Sequence, residues 1–282
     1  VCDAKDFTFQ GLEFDKKGTS FTFDYAKHKY RYNMKTEEVT KLDTVINRGF
    51  GESWKKYSPD STYILFAQCH NLYVMGNKDK GKDTTKVQLT SDGEKYFSYF
   101  KEEEEVGTDT FPATPVAVWM KDSKKVYALR EDTRHVDELF LVDVMETPRP
   151  KVKTYKYSMA GDQKLEKYVL TVIDVETKEV KTIDTDHWLD QYVDVLYTSK
   201  DGNKIYFERK TRAFDEQEVC VADLTTGKVK TLIHEIDKPF MDYKMANIMF
   251  LNDGKDIIYR SERTGWGHYY LYDNEGNLKN AI

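Results

Sequence analysis

The densest chemistry in the sequence is the run Glu102-Glu103-Glu104-Glu105. Four adjacent carboxylates repel one another and favour a nearby cation. An ammonium group offers three donors, and two fixed carboxylates satisfy them through charge-assisted hydrogen bonds. The run therefore reads either as a solvated acidic face or as a clamp for a protonated amine, and spacing does not say which two carboxylates face inward. The histidines, His28, His70, His135, His187, His234 and His268, nowhere show His-x-x-x-His spacing, and no metal is expected. Cys2, Cys69 and Cys220 lack metal-like spacing and allow one disulfide at most. Arg130, Arg134, Arg209, Arg212, Arg260 and Arg263 follow β segments, with Asp132, Asp137, Asp215, Glu216 and Glu262 nearby. They read as inter-strand or inter-blade ion pairs, although an arginine lining a central opening also suits a peptide carbonyl or carboxylate. Trp54, Trp119, Trp188 and Trp266 read as packing residues, and Gly265-Trp266-Gly267-His268 as a turn that tucks its ring. The sequence holds no Gly-x-Ser-x-Gly elbow, no Gly-x-Gly-x-x-Gly and no phosphate loop. No catalytic residue and no cofactor are assigned, and the chain is expected to be scaffold or gate.

Such residues need a frame, and the frame is a repeated strand-turn-strand phrase. Residues 9–14 precede Asp15-Lys16-Lys17-Gly18 and Phe21-Thr22-Phe23, and Tyr57 precedes Ser58-Pro59-Asp60-Ser61 and Tyr63-Ile64-Leu65-Phe66. The phrase returns around Lys121-Asp122-Ser123-Lys124, Ser199-Lys200-Asp201-Gly202 and Asn252-Asp253-Gly254-Lys255. Asp, Asn, Ser and Gly tolerate tight-turn dihedrals and cap their own backbone. A second hairpin often follows, as in Asn71-Leu72-Tyr73-Val74 with Lys86-Val87-Gln88-Leu89. Four short antiparallel strands per unit is the pattern of a β-propeller blade.

The units are placed at 7–45, 53–91, 116–184, 193–233 and 245–282. The turn aspartates are unevenly spaced. The longest interval, Asp122 to Asp201, holds strand candidates at 152–157, 168–175 and 180–183, the last two read as an extra hairpin or extended blade edge. The expected fold is all-β, a β-propeller of irregular four-stranded blades, incomplete at about five blades. A large sandwich is the alternative.

Composition agrees. The 282 residues are 39% apolar, with net charge -6 and mean hydropathy -0.71, which argues against a general nucleic-acid surface. Tyrosine at 20 and phenylalanine at 15, against only 6 prolines, favour half-buried pleated surfaces over disorder, collagen or coiled coil. No run of about 18 apolar residues occurs, so no membrane-spanning helix is expected. Val1-Cys2-Asp3-Ala4-Lys5 makes no signal segment, and a start without methionine reads as a processed or trimmed product.

Trp54-Lys55-Lys56-Tyr57-Ser58-Pro59-Asp60-Ser61, His70-Asn71-Leu72-Tyr73-Val74 and Thr147-Pro148-Arg149-Pro150 resemble the dipeptidyl peptidase IV family. Phe207-Glu208-Arg209-Lys210-Thr211-Arg212 and Arg263-Thr264-Gly265-Trp266-Gly267-His268-Tyr269-Tyr270 extend the resemblance across most of the chain. It implies a serine exopeptidase that removes N-terminal dipeptides, commonly after Pro or Ala. It further implies an N-terminal eight-bladed propeller and a C-terminal α/β-hydrolase domain that carries the Ser, Asp and His. On this resemblance the chain stops inside the propeller and is inactive alone. The family's propeller holds a glutamate pair that binds the substrate amino terminus. By order, Glu102 to Glu105 lies in the matching region, behind Tyr99 and Phe100 and ahead of Trp119, and Glu103 and Glu104 are taken as the pair. The resemblance also implies a peptide substrate, a homodimer formed through the hydrolase domain and a propeller extension, and a periplasmic or secreted bacterial protein. The residues alone leave a non-catalytic propeller that binds peptide, protein or glycan as the competing function.

Overall fold

The computed structural model describes residues 10–15, 17–25, 28–44, 54–101, 112–242, 245 and 247–282. Their regular structure is antiparallel β with short 3-10 turns, and no helix among them is long and apolar enough to cross a membrane. The chain divides into two compact units, Val1–Trp54 and Lys55–Ile282.

The first unit holds β1 (Gln10–Phe14), β2 (Ser20–Tyr25), β3 (His28–Asn33) and β4 (Glu38–Thr44), paired in that order. Asp15 closes the first turn by accepting from the Thr19 amide at 2.7 Å, while Gly18 takes the left-handed conformation the turn requires (φ 63°). Phe21 packs against Phe14 and Tyr32, with ring centroids 5.5 and 5.2 Å away.

The second unit carries four four-stranded sheets. The first is β5 (Lys56–Tyr57), β6 (Tyr63–Gln68), β7 (Asn71–Gly76) and β8 (Val87–Gln88). The next joins β9 (Val118–Trp119), β10 (Lys125–Asp132), β13 (Lys167–Asp174) and β14 (Val180–Ile183). Between β10 and β13 a two-stranded ribbon intervenes, β11 (Glu138–Asp143) with β12 (Lys151–Lys156). Then come β15 (Gln191–Thr198) to β18 (Val229–Ile236), with β16 (Lys204–Thr211) and β17 (Glu216–Asp223) between. The last sheet is β19 (Ile248–Leu251), β20 (Asp256–Ser261), β21 (His268–Asp273) and β22 (Leu278–Ala281).

One expectation is corrected. The extra hairpin is β11–β12, not the strands near 168–183, which instead complete the sheet as β13 and β14. β13 runs Val169-Leu170-Thr171-Val172-Ile173, apolar enough to be covered on both faces, whereas Phe140, Val142 and Val152 of the ribbon stay exposed.

Strand alternation sends neighbouring side chains into different cores. Val126 and Ala128 of β10 pack with Leu65 and Ala67 of β6, while Tyr127 and Leu129 face Ile205 and Phe207 of β16. Tyr206 points the other way, into a core with Ile257 and Tyr259 of β20. Successive sheets thus pack face to face in a propeller-like series. Turns at one end tie them laterally: Lys125 Nζ donates to the Gly202 carbonyl at 3.0 Å, and Tyr197 Oη to Asp253 Oδ1 at 2.8 Å.

Candidate functional site

A cavity of 740 Å³ opens in the second unit where the segment after β8 meets the end of β10, the ribbon strand β12 and the starts of β13 and β15. Tyr96, Phe100 and Lys101 line it from the segment after β8, and Tyr155, Lys156 and Tyr168 from β12 and β13. The wall from the segment after β8 is held from three sides. Asn71 Oδ1 accepts from the Gly93 amide at 2.9 Å, the His70 carbonyl accepts from the Tyr99 amide at 3.0 Å, and the Tyr99 carbonyl accepts from the Val116 amide at 2.8 Å. Ala67 and Ala113 exchange backbone hydrogen bonds of 3.0 and 2.8 Å, and Phe100 bridges Pro115. Gly93 is required here, because a Cβ would lie 2.0 Å from the His70 carbonyl oxygen.

Arg130 forms the cavity floor and is 2% exposed. Its guanidinium lies between the Phe97 and Tyr99 rings, 3.6 and 3.8 Å from their centroids, and Nη2 donates to Asp92 Oδ2 at 2.7 Å. Asp92 also accepts from the Tyr99 hydroxyl at 3.0 Å, and burial pushes that phenol up to about 12. Tyr168 donates to Glu131 Oε1 at 2.8 Å, and burial followed by the Glu131 charge raises its pKa. Lys156 donates to the Val136 carbonyl at 2.8 Å and sits 5.1 Å above the Tyr96 ring. Aromatic walls with a few placed cations and hydroxyls suit a peptide-sized guest.

Glu103 and Glu104, with the rest of Glu102 to Glu105, lie outside the described residues. Lys101, the last described residue before them, lines the cavity. The arginines form ion pairs, Arg130 with Asp92, Arg134 with Asp132 and Glu94, and Arg209 with Glu218. Arg212 faces Glu166 and Asp190, Arg260 faces Glu262, and Arg263 faces Glu235. Trp119 Nε1 donates to the Lys56 carbonyl at 2.7 Å, joining two sheets as a packing residue does. Trp266 departs from expectation, because its ring is 78% exposed rather than tucked. The Arg260 guanidinium holds the space beside the turn, where a Cβ on Gly267 would meet Nη2 at 2.2 Å. Among the described residues no group of three or more His, Cys, Asp or Glu is placed to hold a metal ion. Cys220 is buried, and that burial pushes its thiol up to about 11. Asp92, Phe97 and Lys101 were not legible as site residues, since Ser91-Asp92-Gly93 has the composition of any turn.

The family model of the dipeptidyl peptidase IV (DPP IV) N-terminal region matches residues 13–282. The crystal structure of Porphyromonas gingivalis dipeptidyl peptidase 4 aligns with TM-score 0.64 and 21% identity, over 97% of this chain and 39% of that one. A putative dipeptidyl aminopeptidase IV from Bacteroides ovatus aligns with TM-score 0.59 and 19% identity, over 92% of this chain and 34% of that one. This chain therefore spans well under half the length of either, and at these identities the likeness speaks to fold. With the model matched over nearly its whole length, the chain belongs to the dipeptidyl peptidase IV N-terminal region family.

Proposed function

We propose that this chain is the propeller region of a dipeptidyl peptidase IV-like serine exopeptidase, and that Glu103 and Glu104 bind the protonated amino terminus of a peptide admitted to the cavity. The observation that carries this reading is the course of the cavity wall, which runs through Phe100 to Lys101, directly ahead of Glu102. Two carboxylates that follow this wall in the sequence would satisfy an ammonium and reject an acetylated or internal segment, which has no cation to offer. Measuring from the amino terminus turns an endopeptidase geometry into dipeptide removal, commonly after Pro or Ala. The bond-breaking Ser, His and Asp belong in this reading to a C-terminal α/β-hydrolase domain, the propeller has eight blades, and the parent enzyme is a homodimer outside the cytoplasm.

The test is kcat/KM of full-length Glu103→Gln and Glu104→Gln enzymes on a free-amino dipeptide substrate. Losing a desolvated charge partner costs roughly 2 to 5 kcal/mol, so a fall of more than about tenfold is expected. Losses under about threefold in both variants would return the run to a solvated surface. A coding sequence with no Gly-x-Ser-x-Gly elbow downstream would remove the peptidase and leave a binding module.

A further inference from the structure

We infer that His70 is a positioning residue for the cavity wall, acting through Phe100. The inference rests on the peptidase reading above and adds to it a residue from a different hairpin. His70 and Cys69 form the two-residue turn between β6 and β7, and both have left-handed backbone, φ 48° at Cys69 and 63° at His70. Such a turn is made with little strain by Asn-Gly, and this chain places Cys and His there instead. Strain kept where a relaxed solution exists points to something the relaxed solution would lose.

What it would lose is the imidazole. The His70 ring stacks on Phe100 with centroids 5.0 Å apart and planes 19° from parallel. Its carbonyl fixes the Tyr99 amide, so ring and backbone of one residue grip the wall residue Phe100 and its buried neighbour Tyr99. Phe100 is 2% exposed, so a shift of its ring is transmitted to the backbone, which next reaches Lys101 at the rim. His70 Nδ1 is buried with no hydrogen-bond partner among the described residues. An aromatic carbon in place of Nδ1 would forfeit no bond, and the stack on Phe100 is the side-chain contact the inference rests on.

The experiment replaces the turn in the full-length enzyme by its relaxed form, Cys69→Asn with His70→Gly. A purely structural role predicts an unchanged or higher melting temperature and unchanged kinetics. Positioning predicts the same melting behaviour with kcat/KM on a free-amino dipeptide substrate lowered by about tenfold, carried mainly by KM. His70→Phe, which keeps a ring, should stay within about threefold of wild type, and Phe100→Leu should reproduce the loss from the other side of the stack. Wild-type kinetics in the relaxed-turn enzyme overturn the inference, as does an equal loss in His70→Phe. If the relaxed turn fails to fold, Phe100→Leu and His70→Phe decide alone. Glu103→Gln and Glu104→Gln are measured in parallel. Full activity there with a loss in the relaxed turn removes the amine clamp and keeps the positioned wall, and the opposite pattern removes only the role of His70.

Discussion

At the scale of single residues, short polar turns set local electrostatics more than any long-range field. Asp60 accepts from the Ser58 hydroxyl at 2.6 Å and from the Thr62 amide and hydroxyl at 3.0 and 2.8 Å. These bonds, the Ser58 hydroxyl foremost, hold its carboxyl down at about 2. A depressed folded pKa means that the stabilisation is complete above the unfolded value near 3.9 and is lost as pH falls towards 2. Asp60→Ala should therefore cost about 1 kcal/mol or less at pH 7, given how exposed the turn is. In urea unfolding, the gap to wild type should narrow at about pH 2.5, and a gap independent of pH would contradict the assignment. The same scale marks the limit of sequence reading at the site. That Arg130 belongs to an ion pair follows from its type and place after a strand. Its partner Asp92 and the two rings around it come from a distant segment, brought in by the connection after β8.

At the scale of elements, buried polar pairs punctuate the apolar faces between sheets. Arg209 and Glu218, both nearly fully buried, pair across β16 and β17 at 2.6 Å, and Arg209 Nη1 also donates to the Thr185 and Asp186 carbonyls at 3.3 and 3.2 Å. Glu218→Ala strands a buried guanidinium and should cost about 3 to 5 kcal/mol in chemical unfolding. Replacing both partners by apolar residues of like volume should cost much less, because the Thr185 carbonyl keeps the bond from Gln191 Nε2 at 2.8 Å and only the Asp186 carbonyl loses its donor. An additive double mutant would show that the pair is not coupled. The strands themselves were legible, because turn chemistry and apolar alternation agree around Asp60, Asp122, Asp201 and Asp253. The exchange of roles between β11–β12 and β13–β14 was not. Leu139-Phe140-Leu141-Val142 has the local pattern of an inner strand, and pairing is settled by which strand is covered on both faces. The lysines of β12, Lys151, Lys153 and Lys156, were the available sign that it meets water.

At the scale of the molecule, the ribbon is an exposed apolar feature of the second unit, with Phe140, Val144 and Met145 open to solvent. A stable interface of ~800 Å² per partner takes roughly 20 to 30 residues a side, more than the two six-residue strands of the ribbon supply. The 282-residue chain alone should therefore be monomeric or weakly associated in light scattering across a concentration series. A dimer that persists at nanomolar concentration would contradict this.

The alternation that sends Ile205 and Tyr206 to opposite neighbours has a consequence for biosynthesis. A sheet emerging from the ribosome covers its predecessor with one face and presents the other bare until the next sheet is made. The sticky area on a nascent series of sheets is then two end faces, the fixed outer face of the first sheet and the leading face of the newest one, however many sheets have been completed. At about 5 to 20 residues per second, the next sheet arrives to cover the leading face within seconds. Holding chaperones need to shield two end faces rather than an accumulating surface, and the chain can lengthen by duplication without adding to that bare area during synthesis.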